Sequence, residues 1–224
     1  MAGSDRRALV KEGAGAERTV RELRNQILQG RLLPGEQIRQ EEIAEQLRIS
    51  RVPVREALGI LTSEGLLTHR RHQGYFVTKR SPEELAQIGL MLVLLEEELA
   101  RTIVWPAEEF LNELRSLNEE MARLVDEPEW ADMVPINHDF HLRIFGLSPL
   151  NLVLDEVRRL WLMLDVFIAI NYATRERRRQ TVAQHERIIK ALAARSRARL
   201  LKSMRDHRDA TGIGAQAGMM HRST

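Results

Sequence analysis

Arg51 and Arg55 lie one helical turn apart in the run Ile49 to Leu58 and could read a duplex. A guanidinium is a planar fork of donors that matches the O6 and N7 edge of guanine, or a phosphate, in bidentate fashion. A second set able to do chemistry lies further on. Asn137 and His141 are four residues apart and so share a helix face, and His185 and His207 follow. Neutral imidazoles bind borderline divalent ions and are equally able to hydrogen-bond a ligand or one another. By spacing alone, a metal centre and a metal-free polar pocket both stay open. His138 is expected off that face, at the surface.

The residues around the arginines read as a recognition helix. Ser50 suits the N-cap, and Pro53 falls in the first turn, where a missing N–H does little harm. Val54, Ala57, Leu58 and Leu61 make one apolar face, and Gly65 supplies a stop. At 100° per residue, Val52, Glu56 and Gly59 point away from that face, with Arg51 and Arg55 along its edge. Upstream, Val20, Leu23, Ile27 and Leu28 mark a helix ending at Gly30, and Leu33-Pro34-Gly35 makes a turn. Gln40 to Leu47 forms a short helix, joined to the recognition helix through Arg48-Ile49 only, which predicts a helix-turn-helix. Downstream, Leu66 to Arg71 and Tyr75 to Thr78 are extended runs around His72-Gln73-Gly74, a hairpin that would serve as a wing.

From Glu17 to Thr78 the pieces "LLPGEQI", "EEIAEQLRISRVPVREALGILTSEGLL" and "HQGYFV" resemble the GntR family of bacterial transcription factors. The resemblance implies that Arg51 and Arg55 contact the operator and that Gly74 lies at the wing tip. The full DNA-facing set expected is Arg39, Ser50, Arg51, Val52, Pro53, Arg55, Arg71, His72, Gln73 and Gly74. Some members carry an arginine where this chain has Glu41, and Arg39 is close enough to take over that contact.

After Ser81, an N-cap with Pro82 next and Glu84 in the capping-box position, the pattern is helical throughout. Helices are predicted over Leu85–Val104, Pro106–Val125, Trp130–Phe145, Leu150–Tyr172, Arg175–Ala193 and Arg197–Thr211. Six helices with short connections argue for an antiparallel bundle. This region resembles the FadR-like branch of the same family, with its FCD-type effector domain. There an Asp-x-x-x-His pair and two later histidines converge on a divalent metal. The resemblance implies a site of Asn137, His141, His185 and His207, with asparagine where the family has aspartate. Three imidazoles suit zinc or nickel, and losing the anionic ligand leaves the site more positive, favouring a small carboxylate effector. The family also often places an arginine four residues before a glutamate in the first bundle helix; the run Leu92 to Glu96 has leucine there. Arg143 or Arg158 is expected to supply the effector contact instead.

Composition supports this division. Through Arg80 there are 15 Lys/Arg against 10 Asp/Glu, and afterwards 19 against 22, so a basic module precedes a mildly acidic one. The chain has no cysteine, which fits a reducing cytoplasm, and no apolar run approaches a membrane span. The organisation expected is therefore mainly α. A flexible leader covers 1–15 and a winged helix-turn-helix 16–79, followed by an all-helical effector domain over 81–211 and a flexible tail over 212–224. The function expected is a cytoplasmic, nucleoid-associated homodimeric regulator on a palindromic operator, a repressor released by its effector. The alternatives are a metal-free ligand-gated regulator and a metal-dependent hydrolase. Asp139, Glu186 and Asp206 are adjacent to the histidines in sequence and should point elsewhere, leaving no positioned general base for an enzyme.

Overall fold

The computed structural model describes residues 2–128 and 130–210, and in it the chain divides at Lys79–Arg80 into two units. The tail expected over 212–224 lies outside the described residues. Among the described residues are nine α-helices, a 3₁₀ turn and one three-stranded sheet.

The first unit contains α1 (Ala2–Leu28), β1 (Gln37–Ile38), α2 (Gln40–Leu47), α3 (Arg51–Ser63), β2 (Leu67–Arg70) and β3 (Gly74–Val77). α1 begins at Ala2, so residues 2–15, expected as a flexible leader, continue the helix. The alanines and charged residues of this segment favour a helix, while its three glycines, Gly3, Gly13 and Gly15, oppose one. Leu23 and Ile27 of α1 are fully buried, as are Val54, Ala57, Leu58 and Leu61 of α3, and α1 packs on α3. Each fully buried side chain of this size contributes about 1.5–3 kcal/mol. Arg24 and Glu64 (2.5 Å) tie the same two helices at their edge. α2 stops where Arg48 turns left-handed (φ 54°) and its N–H closes back on the Ala44 and Glu45 carbonyls. Gly65 (φ 79°) ends α3 as the sequence requires.

The two strands read as a wing are present, with Leu67 opposite Val77 and Arg70 opposite Gly74. His72 (φ 63°) and Gly74 (φ 90°) make the reversal. A third strand was not anticipated. β1 pairs antiparallel with β3, Ile38 opposite Tyr75, giving the order β1-β3-β2. At two residues it is too short to show an alternating pattern.

The second unit is helical: α4 (Pro82–Thr102), α5 (Glu108–Leu124), a 3₁₀ turn (Trp130–Asp132), α6 (Met133–Phe145), α7 (Asn151–Asn171), α8 (Arg175–Ala193) and α9 (Arg197–Ala210). The capping box forms as expected, Glu84 N–H donating to Ser81 Oγ (3.2 Å) and Ser81 N–H to Glu84 Oε2 (2.8 Å). Leu92, Leu99, Leu114, Met121, Phe140, Phe145 and Leu200 fill the core. α8 packs on α5 and α9, α6 on α5 and α7, and α4 on α7 and α9, which brings α6, α8 and α9 around one interior. Arg197 closes the end of α4 by donating to the Ala100 and Ile103 carbonyls (2.8 and 3.0 Å).

Candidate nucleic-acid interface and metal centre

The outer face of α3 is built as its periodicity requires. Arg51, Val52, Arg55, Glu56 and Gly59 are exposed while Val54, Ala57 and Leu58 are buried. Val52, an apolar side chain left 41% open on a charged face, suits contact with a thymine methyl. Arg39, Ser50, Arg71, His72 and Gln73 are exposed too, and Gly74 is half-buried. Two expectations need correction. Pro53 is buried, with the Gly15 backbone nearby on α1, so it shapes the helix start and does not face outward. Ser50 takes the extended N-cap conformation, but its hydroxyl makes no capping hydrogen bond. The wing carries two ring contacts: His69 lies 4.7 Å from Tyr75, and the Arg70 guanidinium lies 4.4 Å above Phe76.

In the second unit α6, α8 and α9 bring His141, His185 and His207 together, all buried. His141 Nε2 is 2.9 Å from His207 Nε2 and 3.1 Å from His185 Nε2. His207 Nδ1 is fixed by Gln184 Oε1 at 2.9 Å, which places the proton on Nδ1 and a lone pair on Nε2. One N–H cannot serve both Nε2 contacts at full strength, whereas a cation can accept all three lone pairs. Nitrogens bound to one tetrahedral zinc at about 2.0–2.1 Å would lie roughly 3.3 Å apart, close to the His141–His207 and His141–His185 separations, and the three ligand atoms all lie within 4.8 Å of one another. The donor set therefore fits a divalent ion. Burial holds the His141 and His185 imidazoles well below the usual histidine range, and burial plus the charge of Arg208 brings His207 down to about 4. All three are neutral at pH 7, the state that ligates. Asn137 is buried one turn before His141, and its Oδ1 has no hydrogen-bond partner. A buried amide oxygen in that condition is an available ligand.

His138 differs from its expected surface position: it is half-buried, its ring 4.8 Å from Trp161. Trp161 and Tyr172 are buried in the core. Arg143 and Arg158, expected at the effector, are exposed instead. Arg143 is held by Glu113 (2.6 Å) and Asp139 (3.0 Å), because an i,i+4 acid captures it on the outer face of α6. Glu186 and Asp206 are likewise paired outward, with Lys190 and Lys202.

The buried arginine nearest the cluster in sequence is Arg208, which donates to Glu96 Oε2 (3.0 Å), while Trp161 Nε1–H donates to Glu96 Oε1 (2.8 Å). Burial pushes the Glu96 carboxyl up, and these two partners oppose that shift. Arg178, in the first turn of α8, is also buried and caps the Val125 and Tyr172 carbonyls (2.8 and 2.7 Å). Sequence reasoning missed Gln184 and the Glu96–Arg208–Trp161 linkage. The available signal was a polar residue at a core position of an amphipathic helix, which is weak.

Comparison with known proteins gives two family matches. Residues 16–77 match the model described as bacterial regulatory proteins, gntR family, and residues 87–210 match the FCD domain. Among curated relatives, the Nta operon transcriptional regulator of Aminobacter aminovorans is 32% identical over 127 residues, 56% of this chain and 60% of that one. The HTH-type transcriptional regulator McbR of Escherichia coli (strain K12) is 28% identical over 184 residues, covering 79% and 81% of the two chains. The gluconate operon transcriptional repressor of Bacillus subtilis (strain 168) is 24% identical over 201 residues, covering 86% and 81%. The solved structure of E. coli McbR/YncC shares the fold, with a TM-score of 0.72 at 22% identity over 92% of this chain and 98% of that one.

Proposed function

The chain belongs to the GntR family of bacterial transcriptional regulators, with an FCD domain after its helix-turn-helix, and from this we propose that it is a ligand-released repressor. It is a DNA-binding regulator and not an enzyme. In our reading residues 16–79 form the operator-binding module and 81–211 the effector-binding module. A homodimer presents two copies of α3 to the half-sites of a palindromic operator, in the cytoplasm at the nucleoid. The exposed Arg51, Val52 and Arg55 read bases and phosphates, with Arg71, His72, Gln73 and Gly74 following the backbone from the wing. A repressor role is supported by similarity to a gluconate operon repressor. Among the described residues no helix is long and apolar enough to cross a membrane.

The observation that carries the effector reading is the convergence of three buried, neutral imidazoles. His141, His185 and His207 would hold a zinc or nickel ion, with Asn137 as the fourth protein ligand and Gln184 fixing His207. The ion would supply a Lewis-acidic centre for an oxygen ligand. With four neutral ligands its full charge is left uncompensated, which favours a small carboxylate. The effector lowers operator affinity by binding more tightly to the state that holds DNA poorly, and the coupling is reciprocal.

The test is elemental analysis of purified protein, then thermal melts with a panel of small organic acids, with and without chelator. Co-purified zinc or nickel and a chelator-sensitive shift are expected. No bound metal and an unchanged acid response in chelator would remove the metal and leave a polar pocket.

A further inference from the structure

Glu41 and Arg51 come from the two helices of the helix-turn-helix, and their side chains meet. Arg51 Nη1 lies 3.2 Å from Glu41 Oε1. Both are solvent-exposed, at 71% and 64% of the side chain. A carboxylate at this place is unfavourable beside phosphates, and Glu42 does not share the role, since it pairs with Arg39 at the N-cap of its own helix (3.0 Å). Arg55, one turn along the same edge of α3, has no ion-pair partner among the described residues. The two arginines therefore differ. One is oriented by an acid, and the other is free to follow the backbone.

We propose that Glu41 is a positioning residue for sequence recognition. It holds the Arg51 guanidinium fork for one guanine and keeps it from acting as a general phosphate clamp. Arg51 then supplies discrimination and Arg55 supplies salt-sensitive affinity. This rests on Arg51 reading bases, as set out above. An exposed pair is worth little in water, so Glu41 does not hold the fold together. Once a duplex displaces that water the effective dielectric falls and the same pair orients more strongly. A fixed fork loses less freedom on meeting O6 and N7 than a loose one. Because the acid neutralises Arg51, phosphate contact and counterion release are left mainly to Arg55 and the wing.

The test uses the full-length protein, a duplex selected from a randomised pool, and an unrelated duplex of equal length, between about 50 and 200 mM salt. Arg51→Ala identifies the guanine whose preference it abolishes. Glu41→Gln is expected to lower discrimination at that guanine about tenfold, and to raise affinity for the unrelated duplex about threefold with a steeper salt slope. Glu41→Asp, which keeps the carboxylate, retains more discrimination than Glu41→Gln. In the Arg51→Ala background Glu41→Gln changes discrimination no further. Thermal melts stay within the wild-type range for all variants. If Arg51→Ala abolishes the preference and Glu41→Gln leaves it intact, or if Glu41→Gln acts equally without Arg51, the positioning role is wrong. If Arg51→Ala itself leaves the preference intact, base reading by Arg51 fails and this inference falls with it.

Discussion

Acid should destabilise the helical unit through its histidines, by an amount that can be worked from the structure. An imidazole in the unfolded chain takes up its proton near pH 6.5, whereas folded His207 does so only at about 4. The folded state therefore binds fewer protons between these values. The stability His207 contributes is complete above about pH 6.5 and is lost as pH falls towards about 4. At pH 5 the loss from this residue alone is about 2 kcal/mol, rising to a limit of roughly 3 kcal/mol at lower pH. His141 and His185 are shifted in the same direction by burial and add to it. Against a domain stability of about 5–15 kcal/mol this is a large change. The assay is urea unfolding at several pH values from 7.5 to 5, in chelator so that metal binding does not add its own proton dependence. Tryptophan fluorescence reports this unit selectively, because Trp105, Trp130 and Trp161 all lie in it. His207→Gln should flatten the pH dependence by about 2 kcal/mol over this window. Stability that is flat from pH 7.5 to 5, or an unchanged slope in His207→Gln, would refute the buried, neutral state of the cluster.

Two further outcomes follow from the same interior. Glu96→Gln leaves Arg208 facing a neutral partner across a pair whose side chains are only 10% and 7% exposed, and should cost about 3 kcal/mol in urea unfolding; Glu96→Leu with Arg208→Leu should recover most of that. Gln184→Leu removes the acceptor for His207 Nδ1–H and should weaken zinc binding about 10- to 100-fold, measured by competition with a chromophoric chelator while the circular dichroism spectrum is retained.

The DNA-reading module was legible because its signals are local. The face of α3, the left-handed glycines at 65 and 74, and the three-residue link between α2 and α3 each follow from neighbours in the chain. The helical periodicity of the second half and the Ser81 capping box were local as well. What local pattern could not supply was the partner of each polar side chain. Arg143 and Arg208 are both arginines on amphipathic helices. One is drawn outward by Asp139 on its own helix, and the other inward by Glu96 on a helix 112 residues away in sequence. Sequence spacing placed three histidines on three helices. Only the packing of α6, α8 and α9 brought their Nε2 atoms to 2.9 and 3.1 Å and set Gln184 behind one of them. Periodicity is fixed by the backbone and so is written along the chain. Convergence depends on how helices distant in sequence cross, and that is decided by the whole buried surface at once.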